Sequence, residues 1–172
     1  MLKIKDVGVD LYHLMEQALR EAKKGLSEGE VPVGAVAAAP EGEVVAKAHN
    51  QPVGLKDPTA HAEILAMRRA GRVYQNYRLN RIILVVTMEP CIMCMGAAIQ
   101  ARVGRLVFGA FDKKAGAAGS VYDLAADSRL NHEMDVVSGI METECKALIK
   151  EFFRTRRYES GRGIRGEVPK WS

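Results

Sequence analysis

The chain has little cysteine, three residues in 172. An odd thiol count builds no closed disulfide framework, so a small disulfide-held secreted scaffold is excluded and a reducing, cytoplasmic setting is expected. Long apolar runs are missing too. No stretch approaches the roughly 20 apolar residues of a membrane-spanning helix. The opening residues, Met1-Leu2-Lys3-Ile4-Lys5-Asp6, lead into no apolar segment of signal-peptide length, so no secretory leader is expected. Nor is there a large excess of one charge. The net charge is +4 and the sequence pI ≈ 9.0, which permits nucleic-acid binding without requiring it. Internal repeats and linkers are absent.

What is there is an ordinary globular composition, 48% hydrophobic and 27% charged, in a chain long enough for one domain with a real core. Positive charge is concentrated: Arg154, Arg156, Arg157, Arg162, Arg165 and Lys170 crowd the last residues, and Lys113-Lys114 sits in a Gly/Ala-rich loop. Taken as charge alone, these are a solvated surface and a basic tail.

Apolar spacing predicts a helix over Val9–Leu26, with Asp10 as a cap and Gly25 near its end. Val31–Ala39 reads as a buried strand and Val44–Ala48 as its hairpin partner across the Pro40–Glu43 turn. Asn50–Thr59 reads as a loop and Ala60–Ala70 as a helix. Ile82–Val86 is the clearest buried strand. Pro90 then suits the first turn of a helix over Cys91–Ala101. Val103–Phe108 and Met134–Val137 are strands, Gly109–Gly119 is a loop, residues 120–126 carry no clear signal, and Ile140–Arg157 is a long amphipathic helix. Strands alternating with helices after an opening hairpin indicate a layered α/β domain with a mixed sheet. Its functional crevice is expected at the carboxyl ends of strands.

Two of the three cysteines lie in Pro90-Cys91-Ile92-Met93-Cys94, and His61-Ala62-Glu63 precedes them. A lone C-x-x-C fits zinc, redox chemistry or chance, and a lone histidine is more often a satisfied surface or core residue. Together, His61, Cys91 and Cys94 supply three zinc ligands. Structural zinc is normally closed by four protein ligands, whereas catalytic zinc keeps one position open. Glu63, two residues from a ligand, stands beside them as a free acid. The combination H-x-E…P-C-x-x-C is the known signature of zinc nucleobase deaminases. Such chemistry needs a Lewis acid and an adjacent proton carrier. The plainer reading of Glu63 is a glutamate favoured by the helix dipole.

Other residues are less specific. An amide at Asn50 suits a ring nitrogen or a sugar hydroxyl, yet alone it reads as a turn residue. Cys145 falls on the apolar face of the last helix and is expected in the core. Met88, Met93 and Met95 are expected to pack. Phe152, Phe153, Arg156 and Arg157 close the last helix with aromatics followed by charge. They are either core phenylalanines with solvated arginines, or a surface where bases stack and phosphates bind.

The chain resembles the bacterial tRNA adenosine deaminases, the wobble-position adenosine-to-inosine enzymes of the cytidine-deaminase-like superfamily. The resemblance runs from about Leu11 to Arg157. It is carried by Glu30–Val36, Asp57–Ile64, Gln75–Leu79, Glu89-Pro90-Cys91, Gly104–Ala110, Lys114–Ser120 and Glu151–Arg154. The zinc motif marks only the superfamily, whereas the Gly116–Ser120 loop and the Phe152–Arg157 run are much more specific. The resemblance implies a three-layer cytidine-deaminase-like fold, a five-stranded mixed sheet with helices on both faces. It also implies one Zn2+ per subunit, a homodimer, and a tRNA anticodon loop as partner. It places Glu63 as the catalytic residue. It places Asn50, Ala62, Asp112, Phe152, Phe153, Arg156 and Arg157 on the substrate side. Met88 stands where leucine is frequent, and the turn over Pro40–Glu43 is one residue longer than the family's. Nothing beyond Arg157 matches, so residues 1–157 are expected to form the deaminase domain and 158–172 a flexible tail.

The expected chemistry is hydrolytic conversion of adenosine to inosine with release of ammonia, Glu63 carrying protons from water to ring N1 and then to the leaving amine. A deaminase of free cytidine or guanine shares the zinc motif but has no use for Lys113-Lys114 or the terminal Phe/Arg run. A non-catalytic zinc-stabilised RNA-binding module has no use for Glu63.

Overall fold

The computed structural model describes residues 8–161, with side chains as far as Tyr158. Of the expected tail, residues 158–161 continue the last helix, and 162–172 lie outside the described residues. The elements run α1 (Leu11–Ser27), β1 (Gly34–Ala38), β2 (Val44–His49), α2 (Pro52–Leu55), α3 (Ala62–Tyr74), β3 (Ile83–Met88), α4 (Ile92–Gln100), β4 (Arg105–Ala110), β5 (Asp135–Ser138) and α5 (Glu142–Gly161). One five-stranded sheet has the order β2-β1-β3-β4-β5. β1 is antiparallel to both β2 and β3, while β3, β4 and β5 are parallel.

The period of two along each strand sorts side chains onto opposite faces. Ala35, Ala37, Leu84, Val86, Leu106 and Phe108 face α3 and α4, where Ile64, Met67, Met95 and Ile99 complete one core. Val36, Ala38, Ile83, Val85 and Val107 face the other way, onto Leu14, Met15, Ala18 and Leu19 of α1 and Cys145 of α5. Three layers result, as the resemblance to the cytidine-deaminase-like fold implied, and the sheet is mixed, as the element order indicated. Small residues allow close approach: a Cβ on Gly34 would overlap the Ala18 carbonyl oxygen and come within 2.5 Å of Ala22 N. Asp10 caps α1, its carboxylate accepting from His13 N at 2.9 Å.

Differences from the sequence-based expectation have specific causes, most of them local. β1 begins at Gly34 because Pro32 has no N–H and Val33 N already donates to Val31 O. The second hairpin strand carries a bulge, since Ala37 pairs with Ala46 and Ala38 with Val44, leaving Val45 over. α3 runs past Gly71 to Tyr74 and ends at Gln75 with φ 49. The loop after Asn50 contains the one-turn helix α2. Its free amides at Val53 and Gly54 are satisfied by Glu30, twenty-odd residues upstream, which local periodicity does not reveal.

The parallel run of β2, β3 and β4 puts their carboxyl ends on one edge of the sheet. That edge presents three segments: Asn50 to the start of α3, Glu89 to the start of α4, and the loop after Ala110.

Candidate metal centre and substrate-facing loops

His61 is the N-cap residue of α3 and Cys91 that of α4, and neither side chain caps its helix. Both side chains turn instead toward the same point, where Cys94, in the first turn of α4, joins them. The ligand atoms of His61, Cys91 and Cys94 all lie within 4.8 Å of one another. His61 Nδ1 is 3.8 Å from Cys91 Sγ and 3.6 Å from Cys94 Sγ. Zinc bonds of about 2.0–2.1 Å to nitrogen and 2.3 Å to sulfur, held tetrahedrally, demand N···S edges of roughly 3.5 Å. The donor set and its spacing therefore fit zinc. Two helix N-termini also aim their positive ends at the site, which favours thiolate.

Protonation follows the same geometry. The Cys91 thiol is drawn down to about 3, first by the hydrogen bond from the Cys94 thiol and then by His61. The same shared proton, together with burial, pushes the Cys94 thiol up. His61 is raised, chiefly by its interaction with Cys91.

Glu63 is 4% exposed. Burial pushes its carboxyl up, against the backbone hydrogen bond and the His61 charge that oppose the shift. Its Oε2 is buried with no hydrogen-bond partner among the described residues. Buried polar atoms are nearly always paired. An orphaned carboxylate oxygen beside three metal-type ligands marks a place built for a group that the protein chain does not supply.

Asn50 is 8% exposed, and its Oδ1 accepts from Ala62 N at 2.9 Å. Its amide nitrogen donates to nothing among the described residues. Ala62 is fully buried, so its contribution is to lock Asn50 against the start of α3.

Asp112 opens the loop after β4. Its Oδ1 accepts from Lys114 N and Ala115 N at 2.9 and 3.3 Å, and its carbonyl from Gly116 N. Its carboxylate thus shapes the turn that displays Lys113 and Lys114, both exposed. At the end of the chain, Phe152 is buried and Phe153 exposed, their rings edge to face at 5.3 Å. Arg156 is not a loose cation. It donates to Gly29 O at 2.8 Å and lies over the Phe152 ring. Arg157 is exposed. Cys145 is buried 3.9 Å from Met15 Sδ, and burial pushes its thiol up to about 12, as a core cysteine. Met95 is buried, and Met88 and Met93 pack partly buried against the same core.

Two buried glutamates beside the site's loops, Glu30 and Glu89, were given no role from the sequence. Glu30 holds α2 as described, and Glu89 gathers amides of the loop after Asp112. The available signal was a charged residue set against proline in otherwise apolar surroundings, at Glu30-Val31-Pro32 and Met88-Glu89-Pro90.

Comparison with known proteins agrees with the geometry. Residues 10–110 match the family described as the cytidine and deoxycytidylate deaminase zinc-binding region. The chain is 44% identical over 143 residues to the tRNA-specific adenosine deaminase of Bacillus subtilis, covering 83% of this chain and 88% of that one. It is also 44% identical, over 146 residues, to the tRNA-specific adenosine deaminase of Haemophilus influenzae, covering 85% and 84%. A solved structure from studies of A-to-I editing by tRNA:A34 deaminases superposes with a TM-score of 0.76 at 41% identity, covering 79% of this chain and 98% of that one. With a zinc-shaped ligand triad at the helix starts and this likeness along most of its length, the chain belongs to the zinc-dependent cytidine and deoxycytidylate deaminase family and, within it, to the tRNA-specific adenosine deaminases.

Proposed function

We propose that this chain deaminates adenosine to inosine at the wobble position of a tRNA anticodon, releasing ammonia. The observation that carries the reading is Glu63: a buried carboxylate with one unpartnered oxygen, next to three metal-type ligands that it does not join. His61 Nδ1, Cys91 Sγ and Cys94 Sγ would hold one zinc. When bound there, zinc supplies a Lewis acid that brings the pKa of water toward neutrality.

The chain's own residues supply the proton path and the positioning. Glu63 takes up the proton that water gives away as its oxygen bonds to C6 of the adenine, and passes it to ring N1. A second proton handled by Glu63 goes to the departing amine, so that water and adenosine become inosine and ammonia. Burial raises the Glu63 carboxyl from its ordinary value, the direction that suits a group which must both accept and deliver a proton. Asn50, its carbonyl committed to Ala62, offers its amide N–H to an acceptor on the extruded nucleotide. An adenosine in an anticodon loop is already single-stranded, so extrusion costs little.

Around that centre, the Asp112 loop with Lys113 and Lys114 meets the RNA backbone, and the exposed Phe153 and Arg157 of α5, with Arg156 beside them, form a further RNA-facing element; Phe152, expected on the substrate side, is a core residue that supports Arg156 from beneath. Residues 1–157 form the deaminase domain. The chain acts in the cytoplasm as a homodimer. Among the described residues no helix is long and apolar enough to cross a membrane. The identity to proteins named for tRNA favours this substrate over a free cytidine or guanine. Incubating the zinc-loaded protein with bulk tRNA, digesting it and following the adenosine-to-inosine mass change tests the assignment. Parallel assays on free adenosine, cytidine and guanine should show no comparable turnover; preferred turnover of a free base would reject it.

A further inference from the structure

Glu89 lies two residues before Cys91 and is 3% exposed, yet it touches none of the three ligands by any described contact. Its carboxylate is filled entirely from one loop. Oε1 accepts from Ala118 N at 3.1 Å and Ser120 N at 2.9 Å. Oε2 accepts from Asp112 N at 3.0 Å and from the Ser120 hydroxyl. Both ends of the Asp112–Ser120 loop are thus tied to one side chain. The middle is tied to the neighbouring backbone, where Ala117 N donates to Pro90 O at 2.9 Å and Gly116 bridges to Cys91. Gly116 must be glycine here, because a Cβ would overlap the Glu89 carboxylate. A buried carboxylate is costly unless its hydrogen bonds are met, and hydrogen bonds to a charged acceptor are the strong ones. The carboxylate and the loop therefore stabilise each other.

We propose that Glu89 is a positioning residue that locks the Asp112–Ser120 loop to the Cys91 segment, so that RNA engaged by the loop is held in register with the reacting centre. The proposal rests on the reading of this chain as a tRNA deaminase. Positioning of this kind matters because small misplacements of substrate cost large factors in rate. Glu89→Gln is nearly isosteric, but its amide must face N–H groups where an acceptor stood: Asp112 N in one orientation, Ala118 N and Ser120 N in the other.

The test compares wild type, Glu89→Gln and Ser120→Ala as zinc-loaded full chains with an anticodon stem-loop RNA. Zinc per chain, amide hydrogen exchange over 112–120, and KM and kcat are measured separately. Glu89→Gln should keep its zinc, exchange faster at Asp112, Ala118 and Ser120, and raise KM by about tenfold or more, the size expected for losing a charged hydrogen bond. The change in kcat should be smaller. Faster exchange with unchanged KM overturns the proposal, because the loop would then be ordered for stability alone. Unchanged exchange overturns it as well. If Glu89→Gln fails to fold or loses zinc, Ser120→Ala decides. It removes only the hydroxyl bond, and a severalfold rise in KM with zinc retained supports the proposal, whereas no rise rejects it. A wild type that does not deaminate the stem-loop rejects the proposed function instead.

Discussion

A carboxylate oxygen buried without a partner is expensive, and Glu63 Oε2 is in that position. The cost is tolerable where the oxygen finds its partner during function. Glu63→Gln removes the proton carrier and preserves shape, so the variant should bind zinc and RNA normally. Its single-turnover rate should fall by at least ~10²–10⁴-fold, the usual contribution of a general acid–base. Near-normal turnover with full zinc would sink the mechanism, and loss of zinc would make Glu63 a ligand. The three cysteines divide in the same way. Cys91→Ser or Cys94→Ser should release zinc, because a three-ligand centre becomes a two-ligand one. Cys145→Ala should keep one zinc per chain, with a packing cost of about 1 kcal/mol. Its thiol, raised to about 12 and buried against Met15, should also resist alkylation in the folded protein. Metal analysis and thiol titration of the three variants check both statements.

At the scale of elements, α5 joins two roles that its sequence does not separate. Phe152 is buried and Arg156 folds back over it onto Gly29, next to Glu30, the residue that holds α2 in the Asn50 loop. Arg157 is exposed. The two arginines should therefore give different signatures. Arg157→Ala should weaken binding of an anticodon stem-loop and flatten its salt dependence, with the melting temperature unmoved, since fewer counterions are released. Arg156→Ala should in addition lower the melting temperature, because it frees a carbonyl and uncovers an aromatic ring. A salt titration of affinity beside thermal melts separates them; identical behaviour of the two variants would contradict the tie to Gly29.

At the scale of the whole molecule, acid stability has a traceable contributor. Glu21 on α1 is 6% exposed. Burial alone would raise its carboxyl. Hydrogen bonds from Lys24 at 2.6 Å and from His49 at 3.4 Å, with the charge on both, outweigh burial and hold it below the ordinary glutamate value. A folded-state pKa below the unfolded one means the unfolded chain binds the proton more tightly. The resulting stability is complete above the unfolded value, near 4.5, and is lost as pH falls through the lower folded value. Denaturant melts of wild type and Glu21→Gln should therefore differ most at neutral pH and converge as the pH falls through the folded value, which lies below the ordinary one. A difference that grows on acidification would reverse the sign and reject the assignment.

How much of this was legible in the chain follows from the range of each interaction. Periodicity and punctuation are local, and they determined the alternating elements, the hairpin and the layered α/β expectation, because Leu14, Ala18 and Leu19 or Leu84 and Val86 sort themselves within a few residues. The zinc triad was legible because donor chemistry is rare: His61, Cys91 and Cys94 with Glu63 admit few other uses in one chain. Only the tertiary structure decided what carboxylates and cations at ordinary positions do. Glu30 meets α2 across more than twenty residues, Glu89 meets Ser120 across about thirty, and Arg156 meets Gly29 across the length of the domain. These pairings depend on which strand ends share an edge of the sheet. Strand order β2-β1-β3-β4-β5 is set by packing and loop closure over the whole chain, not by any one segment's preference.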